Sequence, residues 1–167
     1  MMRRPATAAA TAGVRRLAPE DAALWRDIRL EALAREPAQF AERLADWADR
    51  PLRDFAAHLA AVPVWAAVAG ERALAVAALT PDSGGEACGW IEAVYVRPEA
   101  RGRGLGQAVV AAAEDAARAR RLAELRLQVR GANAAARGLY RKLGFREVAG
   151  GREGGCGGCE VTMAKRL

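Results

Sequence analysis

The chain has 167 residues, 52% hydrophobic and 28% charged, which suits one domain with a real core and excludes a disordered polypeptide. Its longest apolar runs, such as "VPVWAAVAG", have the length of a buried strand and fall short of a membrane span. The net charge of +6 rests almost wholly on arginine, Lys142 and Lys165 being the only lysines; scattered through an alanine-rich chain, it reads as compositional bias and not as a nucleic-acid surface.

Residues 1–13, "MMRRPATAAATAG", lack the apolar stretch of a secretory signal and are expected to be a flexible tail. A single domain is expected over 14–167. "GVRRLAPED" reads as a short strand entering a helix, with Pro19, Glu20 and Asp21 as start signals. Leu24, Trp25, Ile28, Ala32 and Leu33 then recur at helical spacing until Pro37 ends the run. A second helical stretch is expected through Phe40, Leu44 and Trp47. Pro51 would open a third, "PLRDFAAHLAAV", on which His58 is expected at the surface or the edge of the core. "VWAAVAG", "ALAVAALT" and "GWIEAVYV" are apolar runs of strand length, separated by turn chemistry in "GER" and "PDSGGEA". After "RGRGLG" comes a long helix to about Arg121, then a strand "AELRLQV", a helix "NAAARGLYRKL", and two strands in "FREV" and "EVTMAKRL". This order predicts a mixed α/β layer fold with antiparallel and parallel parts.

Three cysteines without a signal point to a reducing, cytoplasmic compartment. The pair Cys156 and Cys159 in "CGGC" suggests metal or redox chemistry. A zinc site needs four ligands, however, and only Cys88 and His58 remain, with no matching spacing. A redox pair normally opens a helix, which "GGREGGCGGCE" would not tolerate. The segment reads as a glycine-rich connection between two strands, and no metal is expected.

Residues 101–106, "RGRGLG", lie between a strand at Ile91–Val96 and a helix, so the helix N-terminus with its unpaired N–H groups points at the glycines. Two common phosphate loops can be tested. A P-loop needs Gly-Lys-Ser/Thr, but Gln107 follows Gly106. A dinucleotide turn needs a glycine at position 107 and an acid ending the next strand, where Arg130 stands. The pattern that fits is Arg-x-x-Gly-x-Gly at Arg101, Gly104 and Gly106, led in by Val96-Arg97-Pro98. A second pattern, Asn-x-x-Ala-x-x-Leu-Tyr-x-x-x-Gly-Phe, runs through Asn133, Ala136, Leu139, Tyr140, Gly144 and Phe145. On these two motifs the chain resembles the GNAT superfamily of N-acetyltransferases over roughly Val14 to Leu167.

The resemblance implies an α/β (α+β) fold: a mixed, mostly antiparallel central sheet of six to seven strands with helices on both faces. It implies acetyl-CoA as co-substrate and acetyl transfer to a primary amine by direct attack through a tetrahedral intermediate. Amides of Gly102, Arg103, Gly104, Leu105, Gly106 and Gln107 would take the pyrophosphate, with Arg97, Arg101, Arg103 or Arg137 screening the remaining charge. The fourth strand would splay from its neighbour, its backbone at Val94, Tyr95 and Val96 receiving the pantetheine arm, and the Val94 amide would polarise the thioester carbonyl. Tyr140 would be the general acid, and Asn133 would contact the cofactor as well as cap its helix. Glu92, assigned the same strand parity as Val94 by the period of two, is the candidate base, although many members place the acid two residues earlier, at Trp90. An exposed strand glutamate without a catalytic role is the alternative.

The acceptor would be set by Arg29–Phe40 and by the loop between the last two strands. A protein N-terminus, lysine, polyamine, aminoglycoside or amino acid all stay open, so the expected partner is a small-molecule or peptide amine. No nucleic-acid or membrane partner is expected, and a homodimer is left open. The competing reading is a non-catalytic GNAT-like regulator that binds acyl-CoA.

Overall fold

The buried runs "VWAAVA" and "RALAVAALTP" form the second and third strands of a seven-stranded sheet, and strands covered on both faces read as such continuous apolar stretches. The computed structural model describes residues 11–84, 87–149 and 160–167. Its strands are β1 Gly13–Arg16, β2 Val64–Ala69, β3 Arg72–Pro81, β4 Cys88–Val96, β5 Glu124–Arg130, β6 Arg146–Val148 and β7 Glu160–Arg166. They lie in the order β1-β2-β3-β4-β5-β7-β6, every neighbouring pair antiparallel except β4 and β5. Helices α1 (Ala22–Arg35) and α2 (Leu52–Ala61) cover one face; α3 (Leu105–Ala119) and α4 (Ala134–Lys142) cover the other. The mixed, mostly antiparallel sheet with helices on both faces is therefore observed. Of the tail expected at 1–13, residues 1–10 lie outside the described residues, and Gly13 already pairs with Val68.

The helix expected through Phe40, Leu44 and Trp47 does not form. That segment holds single 3-10 turns at Pro37–Gln39 and Leu44–Asp46. Trp47 alone of the three is buried, and Leu44 is 36% exposed. Without an apolar face to bury, the cost of helix nucleation is not recovered. Asp46 instead closes a local turn by accepting the Arg43 N–H at 3.2 Å.

Two departures from regular geometry shape β4. Glu92 pairs with Ala78, but the next pair is Tyr95 with Val76, so Ala93 and Val94 together oppose Ala77. Ala93 takes a left-handed φ of 53° at this β-bulge, where two residues of β4 oppose one of β3. In addition, β4 and β5 pair only over Cys88–Trp90 and Glu124–Arg126. Beyond that point the two strands separate.

Arg97, just past β4, is 2% exposed. Its Nη2 donates to Asp27 at 2.6 Å, its Nη1 to Glu31, and its Nε to the Ala73 carbonyl at 2.7 Å. Tyr95 completes the cluster by donating its hydroxyl to Glu31 at 3.0 Å. Arg97 is thus corrected from a phosphate-screening candidate to a clamp between the end of β4 and α1, because its donors are spent inside the protein. Removing one partner of a buried pair is costly, and the exposure of Asp27 places this case at the low end, about 3 kcal/mol. Arg97→Ala should lower the unfolding free energy by that amount, read as a lower urea midpoint at unchanged slope; a loss under about 1 kcal/mol would mean that the cluster behaves as a surface ion pair.

Candidate active site

After β4 the chain makes a 3-10 turn at Pro98–Ala100 and enters α3 at Leu105. Gly102 and Gly104 both have φ of 74°, a region that costs other residues ~1–2 kcal/mol. A Cβ at either would meet nothing within 4 Å, so these glycines serve the backbone turn and leave its outer side open. Gly106 differs. A Cβ there would lie 3.1 Å from Val96 Cγ2 and 3.6 Å from Leu139 Cδ2, so this glycine lets α3 approach β4. Gly104 caps α3, its carbonyl accepting the Ala108 N–H at 3.0 Å. The amides of Leu105, Gly106 and Gln107 at this helix start have no intrahelical acceptor. Arg103 is exposed and makes no ion pair among the described residues. Arg101 holds Glu36 at 2.6 Å and the Val96 carbonyl at 3.1 Å while half-exposed. Arg137 is engaged by the Gly131 carbonyl at 2.9 Å and by Glu147 at 2.5 Å.

The bulge corrects the expected parity of Glu92. With Ala93 and Val94 opposing one residue, Val94 and Val96 join Ile91 on the α3–α4 face, whereas Ala93 and Tyr95 face α1 and α2. Glu92 lines a cavity of about 360 Å³ together with Trp25, Arg29, Phe40, His58 and Thr80. It is therefore not on the Val94 side. The Tyr95 side chain likewise points to α1, through its bond to Glu31, and its backbone pairs with Val76 of β3.

Tyr140 sits on the opposite face, 7% exposed, its ring edge-on to Phe145 at 6.0 Å and clustered with Val94, Val96 and Leu105. Burial pushes its phenol well above the ordinary value, so it keeps its proton near neutral pH. Asn133 caps α4 by accepting the Ala136 N–H at 3.1 Å, and its Nδ2 donates to Gln39 at 3.1 Å. Arg130 of β5 donates to the Ala38 carbonyl at 2.6 Å. The turn at Pro37–Gln39 is thereby tied to β5 and α4 across the mouth of the splayed strands, a connection for which the sequence carries no local signal.

The loop before β7 and the pair Cys156 and Cys159 lie outside the described residues. Among the described residues Cys88 is buried, no His, Cys, Asp and Glu group could hold a metal ion, and no helix is long and apolar enough to cross a membrane.

Comparison with known proteins gives a consistent result. The model of the acetyltransferase (GNAT) family matches residues 23–145. A mycothiol acetyltransferase of Beutenbergia cavernae is 48% identical over 63 residues, a stretch covering 38% of this chain and 21% of that relative. The ribosomal-protein-alanine N-acetyltransferase of Brucella melitensis superposes with a TM-score of 0.73 at 24% identity, over 93% of this chain and 99% of its own. An acetyltransferase of Salmonella typhimurium, solved with its cofactor acetyl-CoA, superposes with a TM-score of 0.73 at 23% identity, over 94% of each chain. At these identities the two structures speak for the fold.

His58, expected at the surface or the edge of the core, is half-buried and faces the cavity. Its ring stacks on Trp25 at 5.3 Å and meets Trp47 edge-on at 5.5 Å. Burial lowers its pKa, outweighing the attraction of Glu42, and the imidazole is neutral at pH 7. A histidine whose folded pKa lies below its unfolded value of ~6.5 opposes folding once the unfolded chain takes up the proton. Stability should accordingly fall as pH drops below about 6.5 and level off beneath the folded pKa. His58→Gln should flatten that limb in urea unfolding at pH 5 to 7, and the imidazole proton resonances should titrate below 6.5; a midpoint above it would contradict the burial argument.

Proposed function

The chain belongs to the acetyltransferase (GNAT) family, and from that premise we propose that it transfers the acetyl group of acetyl-CoA directly to a primary amine held in the cavity beside Glu92. The observation that carries this reading is the bulge at Ala93 next to the β4–β5 splay. It leaves a strand edge unpaired by β5, beside the start of α3, with the cavity on one face and Tyr140 on the other.

Acetyl-CoA supplies an activated thioester and an anionic pyrophosphate. The residues present fit both: the outer side of the Gly102–Gly104 turn is open, and the amides of Leu105 to Gln107 with the positive end of α3 suit an anion. Arg103 and the half-exposed Arg101 add charge-assisted donors. On β4 the backbone of Val94, next to Tyr95 and Val96 and beyond the β5 pairing, would offer ladder groups to an extended arm. The Val94 N–H would donate to the thioester oxygen, and one such donor to a developing oxyanion is worth roughly 3–4 kcal/mol.

A lysine-like amine of pKa ~10.4 is free base in only roughly one molecule in two thousand at pH 7. Glu92, on the cavity side, would accept its proton, directly or through water. Tyr140, on the other face, would hold its proton in reserve for the departing thiolate. Base and acid on opposite faces suit a reaction in which the nucleophile enters from one side and the leaving group departs on the other.

Tyr140→Phe keeps the ring and removes the donor. A positioned acid contributes about 10²–10⁴-fold, and a thiol of pKa ~8.5 leaves tolerably well unaided, so kcat should fall about a hundredfold with acetyl-CoA affinity little changed. Single-turnover kinetics check this; an unchanged chemical step would return Tyr140 to a packing role. Gly104→Val should abolish acetyl-CoA binding by calorimetry while circular dichroism stays native. Retained binding would remove the turn from the cofactor site.

A further inference from the structure

The cavity beside Glu92 holds an unusual set of polar atoms. Arg29 is 5% exposed, on the inward stripe of α1 with Trp25, Ile28, Ala32 and Leu33. Its guanidinium lies against two rings, 5.8 Å from the Trp25 centroid and 5.2 Å from that of Phe40. Nη2 donates to Glu42, while Nε and Nη1 are buried with no hydrogen-bond partner. The Thr80 hydroxyl, which lines the same cavity, is also buried without a partner. Buried polar groups are nearly always paired, since each otherwise forfeits its solvation. An arginine with two unpaired donors in a cavity, between two rings that fix its plane, is built to receive an acceptor group.

Resting on the reading of the cavity as the amine site, we propose that the acceptor is a small amine that also carries a carboxylate, such as an amino acid, and that Arg29 grips that carboxylate. Both forks of a guanidinium, Nε with Nη2 and Nη1 with Nη2, need the atom that Glu42 now holds. Glu42 is well suited to yield it. Its side chain is 49% exposed, and it lies in the non-helical stretch between two 3-10 turns. Glu42 therefore stands in for the carboxylate of the acceptor and swings out when the acceptor binds, giving a bidentate pair.

The surrounding charges select the rest of the molecule. Glu92 and Glu160 also line the cavity, Glu160 with Arg130 at 3.8 Å. They favour an ammonium group at the other end and disfavour a phosphate dianion. A volume of about 360 Å³ lies near the lower end of the ~300–1,000 Å³ typical of ligand sites, which suits an acceptor of amino-acid size. Trp25, Phe40 and Trp90 provide apolar contact for its side chain.

Calorimetry on the coenzyme A-loaded protein tests the inference without turnover. N-acetyl amino acids with aliphatic, aromatic and polar side chains are titrated against their primary amides. At least one acid should bind about a hundredfold or more tighter than its amide, because a site built for a charged partner rejects the analogue lacking it. Arg29→Gln should erase the difference. Glu42→Ala, at a half-exposed side chain, should tighten the acid severalfold by releasing Nη2, and it decides the matter if the Arg29 variant fails to fold. If no acid outbinds its amide, or if Glu42→Ala weakens the acid, the inference is overturned. A parallel assay offers the corresponding free amino acids and amides with acetyl-CoA. Selective binding of acids without acetylation of any amine would sink the transferase reading and leave the carboxylate site standing. Acetylation indifferent to the carboxylate would do the reverse.

Discussion

The left-handed backbone of Ala93 is the constraint on which the site depends. A regular strand would place Glu92, Val94 and Val96 on one face, and the extra residue at the bulge moves Val94 and Val96 to the other. The same stretch of β4 has lost its ladder with β5, so its backbone groups face a cleft. One local distortion thus exposes a strand edge and assigns the cavity and Tyr140 to opposite sides of it. A non-glycine residue at φ of 53° persists only where the surroundings over-determine it, and here β3 pairs with β4 on both sides of the bulge.

The charged network holds this geometry in place from outside. Arg97 ties the end of β4 to Asp27 and Glu31 on α1, and Arg101 ties the start of the glycine turn to Glu36. The next residues, Ala38 and Gln39, are bound by Arg130 and Asn133. Together these contacts bridge α1 and its following turn to β4, β5 and α4, the elements that frame the cleft. Among the described residues Arg29 differs from Arg97 in being buried with donors to spare, which is why a binding role is proposed for Arg29 while Arg97 has a structural one.

The core uses small residues to bring the layers close. Ala66, Ala67, Ala73, Ala75, Ala77 and Ala78 are all essentially buried on β2 and β3, and Gly106 lets α3 press against Val96. Close approach of α3 to the sheet sets its N-terminus beside the β4 edge. Packing and the proposed anion site would therefore be one arrangement: the helix that fills the core also presents its amides to the cleft.

Periodicity and turn chemistry by themselves determined the order of elements, since apolar runs bounded by glycine and proline act locally. Motif spacing likewise placed Arg101 to Gly106 at a helix start and Asn133 at a cap, both properties of a few neighbouring residues. The failed helix at Phe40 to Trp47 shows the limit of such reading, because its apolar spacing found only one side chain to bury. What the tertiary structure alone decided were the bulge, the cavity and the partners of the arginines. Glu92 and Ala78 meet across strands, Arg97 reaches Glu31 on a distant helix, and Arg29 meets Glu42 only because the intervening turn folds back. Such pairings depend on long-range register and on which charges are desolvated together, quantities that no local pattern of residue types encodes.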